Sequence, residues 1–225
     1  MRIKTAVRHF ARALWVQKRF AKYHFIHIPK NAGEAVRHAL FFRQDVSLSS
    51  PFHYRYVDIA DRVGRDLRFF AVIRNPWSRT ASRYHFARQT AGLWRDDDPR
   101  RRFIADASFA DFVRRQEILP IPEHPNQPWM GPLSSWFNQL EWIRDEQRRV
   151  ACDCLRMENL DEDLASYFGT PVALRKRNIT NARYDYRAMY TDELAGIIEK
   201  LFRADIEHFG FRFDSGATRN VFALA

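Results

Sequence analysis

The chain has 225 residues, 46% of them hydrophobic, and carries a formal net charge of +10 at pH 7. This length suits one well-buried α/β core and is short for two independent domains, so we predict a single domain. The positive charge favours an anionic partner, such as a nucleic acid, a nucleotide, an acidic glycan or a membrane surface.

The two cysteines, Cys152 and Cys154, are too few for a disulfide framework, which favours a reducing cytoplasm. The sequence has no uninterrupted apolar stretch typical of a signal peptide. No window approaches the roughly 18 apolar residues of a membrane span. We therefore expect a cytoplasmic protein that is soluble or, at most, peripheral to a membrane.

The first predicted element is a basic amphipathic helix over residues 2 to about 20. The first 22 residues contain seven Lys or Arg and no Asp or Glu. Four apolar residues recur there at helical spacing: Ile3, Val7, Phe10 and Leu14. Such a helix packs on the folded domain or contacts a membrane through residues 1–20, and we favour the domain. We divide the chain into this helix within residues 1–22 and a single domain over residues 23–225.

A strand, a loop and a helix follow. The β-rich run 23–28 stops at Pro29, and a helical pattern extends from the loop through Phe42. The turn directs backbone N–H groups and a helix dipole at an anion, and Lys30 adds a full charge. It is not a Walker A loop, because G-x-x-x-x-G-K-[ST] is absent. The alternative is an ordinary strand-to-helix turn.

The same layout recurs further along the chain. A strand over residues 68–73 leads into a turn at 74–76 and a helix from Trp77 to about Arg88, with Pro76 fitting the first helical turn. A helix over 57–66 would form the crossover between the two parallel strands.

Ser82 lies inside this second helix, on a turn that can face back towards Arg74 at the strand end. An arginine and a serine in these positions can clamp a phosphate through charge-assisted hydrogen bonds. The alternative is a basic helix whose charges are solvated.

The remaining elements are predicted more briefly. Residues 150–157 form a third strand, and helices follow at 160–168 and 191–208, with Thr191 as a cap of the latter. The stretch 92–133, with six prolines and a dense charge run, is the least regular part and a candidate for an excursion that faces an acceptor.

Together the two loops resemble the donor site of sulfotransferases that use 3′-phosphoadenosine 5′-phosphosulfate (PAPS). Residues 29–33 (PKNAG) resemble the 5′-phosphosulfate loop of that family, and residues 74–84 (RNPWSRTASRY) resemble its 3′-phosphate motif. Residues 155–160 (LRMENL) are similar to the family's strand ending in E-[DN]-L. The resemblance spans about residues 23–213 and is to the Golgi and bacterial carbohydrate sulfotransferases related to heparan sulfate 2-O-sulfotransferase.

The resemblance implies an α/β, P-loop-like sulfotransferase fold with a central parallel sheet flanked by helices. It implies transfer of a sulfuryl group from PAPS to a hydroxyl of a glycan or similar acceptor, with PAP as the product. No metal is expected, since Lys and Arg can neutralise the donor. The donor-binding residues implied are Lys30, Asn31, Ala32, Gly33, Glu34, Ala35, Arg74, Ser82, Arg177 and Thr180. The last two belong to a basic segment, 174–180, that resembles the family's late loop over the nucleotide and could equally be a solvated charged loop.

Three residues are candidates for the chemistry. Lys30 is placed to neutralise charge on the leaving phosphate. The acceptor hydroxyl needs a base, for which His53 is our first choice because the family has a histidine between the two motifs, and Glu34 is the second. Glu34 and Ala35 also depart from the family, whose loop usually continues with Thr or Ser after the glycine. A carboxylate beside a phosphate would repel it unless the side chain points away.

Three other functions compete with this one. A nucleotide kinase is disfavoured by the missing Walker serine or threonine for magnesium. A nucleic-acid-binding module would explain the charge, yet no zinc finger, helix-turn-helix or aromatic RNA motif is present, so no nucleic acid is expected. A non-catalytic PAP(S)-binding member of the family is the third alternative, because of Glu34 and Ala35.

Overall fold

The computed structural model describes residues 20–48, 53–90, 99–115, 137–174, 185–219 and 221. These residues form a four-stranded, fully parallel sheet flanked by helices, which confirms the predicted α/β class. The sheet order is β2-β1-β3-β4. Its strands are β1 (Tyr23–Ile26), β2 (Val46–Leu48), β3 (Arg68–Ile73) and β4 (Asp153–Arg156).

Nine α-helices lie in the described part of the chain. They are α1 (Gly33–Leu40), α2 (Tyr56–Val63), α3 (Pro76–Thr90), α4 (Pro99–Asp106), α5 (Phe109–Arg114), α6 (Leu140–Ile143), α7 (Leu160–Phe168), α8 (Asp192–Leu201) and α9 (Arg203–Phe209). Two 3₁₀ turns join them, at Met157–Asn159 and Tyr186–Met189.

Strand β3 shows how the core is divided. Its side chains alternate, so that Phe69 and Ile73 face one layer of helices while Phe70 and Val72 face the other. The first layer includes α2, α3 and α8, and the second includes α1 and α7. Because both faces are covered, the strand is an almost uninterrupted hydrophobic run, as is typical of parallel sheets.

Most predicted elements are confirmed. Strand β3 and helix α7 have the predicted bounds, α3 begins at Pro76, and the side chain of Thr191 caps α8 by accepting from the amide of Leu194 at 3.3 Å. The predicted helix 191–208 is instead two helices, because the backbone leaves helical geometry at Phe202.

Two features were not predicted. Strand β2 lies at the edge of the sheet beside β1, so the chain crosses from β1 to β2 and then from β2 to β3. It has only three residues, too few to show a periodic pattern. The irregular stretch 92–133 contains α4 and α5 within its described residues, and Ser108 caps α5 in a capping box with Asp111.

No helix in the described ranges is both long enough and apolar enough to cross a membrane. Apart from Phe20, the predicted basic helix at the beginning of the chain lies outside the described residues, as do Arg177 and Thr180.

Candidate anion-binding site at the carboxyl edge of the sheet

The two predicted loops meet at one edge of the sheet. Strands β1 and β3 are parallel neighbours, so the segments that follow them, 27–33 and 74–78, leave the sheet on the same side. The guanidinium of Arg74 donates from Nη1 to the carbonyl oxygen of Lys30 at 3.0 Å. The structure therefore brings both candidate phosphate loops into direct contact.

The first loop has an unusual backbone. Lys30 has φ of 70° and Ala32 has φ of 56°, both in the left-handed region. Ala32 is the N-cap of α1, and its carbonyl oxygen accepts from the amides of Ala35 at 2.9 Å and Val36 at 3.1 Å. A left-handed residue directly before a right-handed helix turns successive N–H groups towards one concavity, which suits an anion.

The first amides of α1 remain for such an anion. Among the described residues, no backbone acceptor is found for the N–H groups of Gly33 and Glu34. Gly33 also packs so tightly that a Cβ at this position would overlap the imidazole of His27. A larger residue at position 33 would therefore displace either the loop or the buried histidine beneath it.

Asn31 fastens the loop to the sheet. Its side chain is 1% exposed, and Nδ2 donates to the carbonyl oxygen of Val72 at 2.7 Å and to Oε1 of Gln139 at 2.6 Å. The structure thus shows Asn31 as an anchor of the loop, with its carboxamide nitrogen engaged inside the protein. Its role in donor binding stays a prediction.

Lys30 lies among other cations. Its Nζ is 3.8 Å from the centroid of the Phe86 ring. Burial, followed by the nearby charges of Arg74 and Arg83, lowers the pKa of Lys30 to about 8. A partly desolvated ammonium next to two guanidinium groups favours the arrival of a negative charge.

Arg74 is held by a serine that is not among the predicted site residues. Its Nε and Nη2 donate to Oγ of Ser78 at 3.0 and 2.8 Å. Ser78, Ser82 and Phe86 follow one another at four-residue spacing, so they share one face of α3. Ser78 contacts Arg74 and Phe86 contacts Lys30, and the predicted Ser82 lies one helical turn from each on the same face.

The amino end of α3 differs from that of α1. Oδ1 of Asn75 accepts from the amides of Trp77 at 3.0 Å and Ser78 at 3.1 Å, so the first amides of α3 are occupied. Nδ2 of Asn75 donates to the carbonyl oxygens of Arg212 and Ser215, both at 2.8 Å. The second loop thus offers side chains to an anion, whereas the first also offers backbone amides.

His53 lies beside the first loop. Its Nδ1 is 2.8 Å from the carbonyl oxygen of His27, and the two imidazole centroids are 4.1 Å apart. Because a carbonyl oxygen only accepts, Nδ1 carries the proton, and in the neutral ring the lone pair is on Nε2. Burial lowers the pKa of His53 below its usual 6.5, so the ring is neutral at pH 7.

Glu34 and Ala35 occupy the two positions that depart from the family. The Glu34 side chain is 52% exposed, and its Oε1 lies 2.5 Å from Nη1 of Arg37, one turn along α1. The arginine offsets the negative charge beside the loop. Ala35 has no side-chain donor, and its amide already donates to Ala32.

Two arginines of α3 are core residues and not part of a solvated basic face. Arg79 is 1% exposed and donates to the carbonyl oxygens of Pro29 at 3.2 Å and Phe137 at 3.0 Å. Arg83 is fully buried. Burial lowers the pKa of Arg79 to about 10, although the charge of Asp205 opposes this shift. Their positions inside residues 74–84 gave no sign of burial.

The comparisons with known proteins add nothing to this geometry. The chain matches no family model, no curated protein and no solved structure. The resemblance to the sulfotransferases stays a prediction that depends on the residues of the two loops.

Proposed function

We propose that the chain is a P-loop-like sulfotransferase that moves a sulfuryl group from PAPS to a hydroxyl of a glycan or similar acceptor, releasing PAP. The observation that carries the proposal is the contact between the two loops, where Arg74 donates to the carbonyl oxygen of Lys30. PAPS has a phosphosulfate at one end of its ribose and a phosphate at the other. Two adjacent cationic loops suit a ligand with two anionic groups.

The first loop would hold the phosphosulfate. The amides of Gly33 and Glu34 and the ammonium of Lys30 are the donors available there. Arg74 and Ser82 would hold the 3′-phosphate, with Ser78 orienting the guanidinium. Arg177 and Thr180 would contribute from the segment that resembles the family's late loop. The negative charges of the nucleotide would compensate the positive charges of Lys30 and Arg74.

The transfer exchanges one sulfur–oxygen bond for another. The acceptor oxygen bonds to sulfur as the bond between sulfur and the bridging oxygen of the 5′-phosphate breaks. Both electrons of the broken bond stay with the phosphate, whose growing charge Lys30 offsets. The acceptor proton passes to Nε2 of His53. The products are a sulfate ester and PAP, and the proton is later released to solvent.

The arrangement of the two candidate bases favours His53. The carbonyl oxygen of His27 orients the imidazole and fixes its tautomer, and burial keeps the ring neutral and able to accept a proton. Glu34 is engaged with Arg37 in an ion pair. We therefore retain His53 as the base and Glu34 as the weaker candidate.

The experiment is a transfer assay with ³⁵S-labelled PAPS against a panel of polysaccharides and lipids that carry free hydroxyls. We expect label in an ester product with the wild type, and strong loss of label with Lys30→Met and His53→Gln. Binding of PAP without transfer to any member of the panel would instead support the non-catalytic alternative.

A further inference from the structure

One buried side chain touches both loops of the candidate site. Gln139, directly before α6, has no exposed surface. Its Oε1 accepts from Nδ2 of Asn31 at 2.6 Å and from the backbone N–H of Arg74 at 2.8 Å. Its Nε2 donates to the carbonyl oxygen of Arg74 at 2.9 Å. A single carboxamide thus links the residue that anchors the first loop to the backbone of the second.

The carboxamide extends the sheet by one residue. Strand β3 ends at Ile73, so the N–H and C=O of Arg74 lie beyond the strand ladder. Gln139 pairs with both groups, as a neighbouring strand would. A carboxylate could not donate to the carbonyl oxygen, and an apolar side chain could do neither. The position therefore has a chemical requirement that glutamine meets.

Gln139 is itself held by a buried carboxylate of α9. Asp205 has no exposed surface, and it accepts from the amides of Gln139 at 2.6 Å and Leu140 at 3.0 Å. The backbone that carries the carboxamide is thereby tied to the C-terminal helices. The backbone of Gln139 is therefore held in place, so its side chain can set the distance between the two loops.

We propose that Gln139 is a positioning residue that sets the separation of the two loops and so couples the binding of the two anionic groups of one nucleotide. This inference rests on the proposed function. Two groups on one ligand bind more tightly than the same groups on separate ligands only if both sites are held at the matching distance. Without the link, each loop keeps its own hydrogen-bond donors, but the distance between the two loops varies.

The coupling can be measured with three nucleotides. AMP carries only the 5′-phosphate, adenosine 3′-phosphate carries only the other, and PAP carries both. We define the linkage ratio as the product of the two monophosphate Kd values divided by the Kd of PAP. A variant that only loses a direct contact weakens PAP and one monophosphate alike, so its linkage ratio stays constant. A variant that frees the spacing lowers the ratio.

The experiment is calorimetric titration of the full chain and three variants with these nucleotides. Gln139→Met removes the link at nearly constant volume, and Asn31→Ala removes its connection to the first loop together with the hydrogen bond from Asn31 to Val72. Ser166→Ala, at an exposed position on α7, is the control. We expect the linkage ratio to fall roughly tenfold in the first two variants and not in the control.

The outcomes distinguish a failure of the proposed function from a failure of the coupling through Gln139. A wild type that binds none of the nucleotides contradicts the proposed function. A wild type that binds PAP, with an unchanged linkage ratio in Gln139→Met and Asn31→Ala, overturns the coupling alone. An equal fall in Ser166→Ala also overturns it, since Ser166 lies on α7, outside both loops. If circular dichroism shows that Gln139→Met is unfolded, Asn31→Ala decides.

Discussion

The ammonium of Lys30 lies over the ring of Phe86, with Nζ 3.8 Å from the centroid. The negative face of the ring partly offsets the positive charge of a side chain that is removed from water and close to Arg74 and Arg83. The ring thus favours the charged form of Lys30, at the place where the proposed leaving group develops its charge.

The first prediction concerns pH. With a pKa of about 8, Lys30 is mostly protonated at pH 7 and mostly neutral at pH 9. A bound anion favours the protonated form, so PAP binding raises this pKa and takes up a proton near pH 8. PAP affinity should fall as pH rises through about 8. Calorimetry in buffers of different ionisation enthalpy measures both effects. Lys30→Arg should remove them, and a flat profile in the wild type would contradict the assignment.

The second prediction isolates the aromatic ring. Phe86→Leu keeps an apolar side chain but removes the ring face, which stabilises the charged form of Lys30 by about 0.5–2 kcal/mol. The pKa of Lys30 should fall further, and the midpoint of PAP affinity against pH should move down by about half a unit or more. Phe103→Leu, in α4, is a matched control. A midpoint that stays in place would show that the ring does not contribute.

The third prediction concerns the second loop. Arg74→Ala and Ser82→Ala should weaken PAP more than adenosine 5′-phosphosulfate, which lacks the 3′-phosphate. Loss of the charged contact should cost about 1.5–3 kcal/mol, with a smaller loss for the serine. Ser166→Ala, at an exposed position on α7, is the control. Equal losses for both nucleotides would place Arg74 and Ser82 away from the 3′-phosphate.

The fourth prediction concerns the base. His53→Ala should lower turnover by roughly 10² to 10⁴ while PAP affinity stays nearly constant, because a base acts on the acceptor. Burial lowers the pKa of His53, so the acid limb of turnover against pH should lie below 6.5. Glu34→Gln should keep most of the activity. Full activity in His53→Ala, with loss of activity in Glu34→Gln, would show that Glu34 is the base and that His53 is not.

Local signals account for what the sequence could predict. Pro29 and Pro76 each stand between a hydrophobic run and a helical pattern, so the two loops follow from patterns within about ten residues. Ser78 was missed because it and Ser82 lie on the same helix face, and spacing alone does not say which one Arg74 reaches. The link through Gln139 joins residues 65 and 108 positions apart, a distance at which a single sequence carries no signal.

The central claim is that the two loops bind one nucleotide with two anionic ends. A calorimetric titration of the wild-type chain with PAP, set beside ATP with magnesium, tests it most directly. The account predicts saturable binding of PAP and much weaker binding of ATP. It also predicts that PAP at about 100 times its Kd stabilises the fold by roughly 2.7 kcal/mol. Absence of binding and of any thermal shift at millimolar PAP would contradict the account.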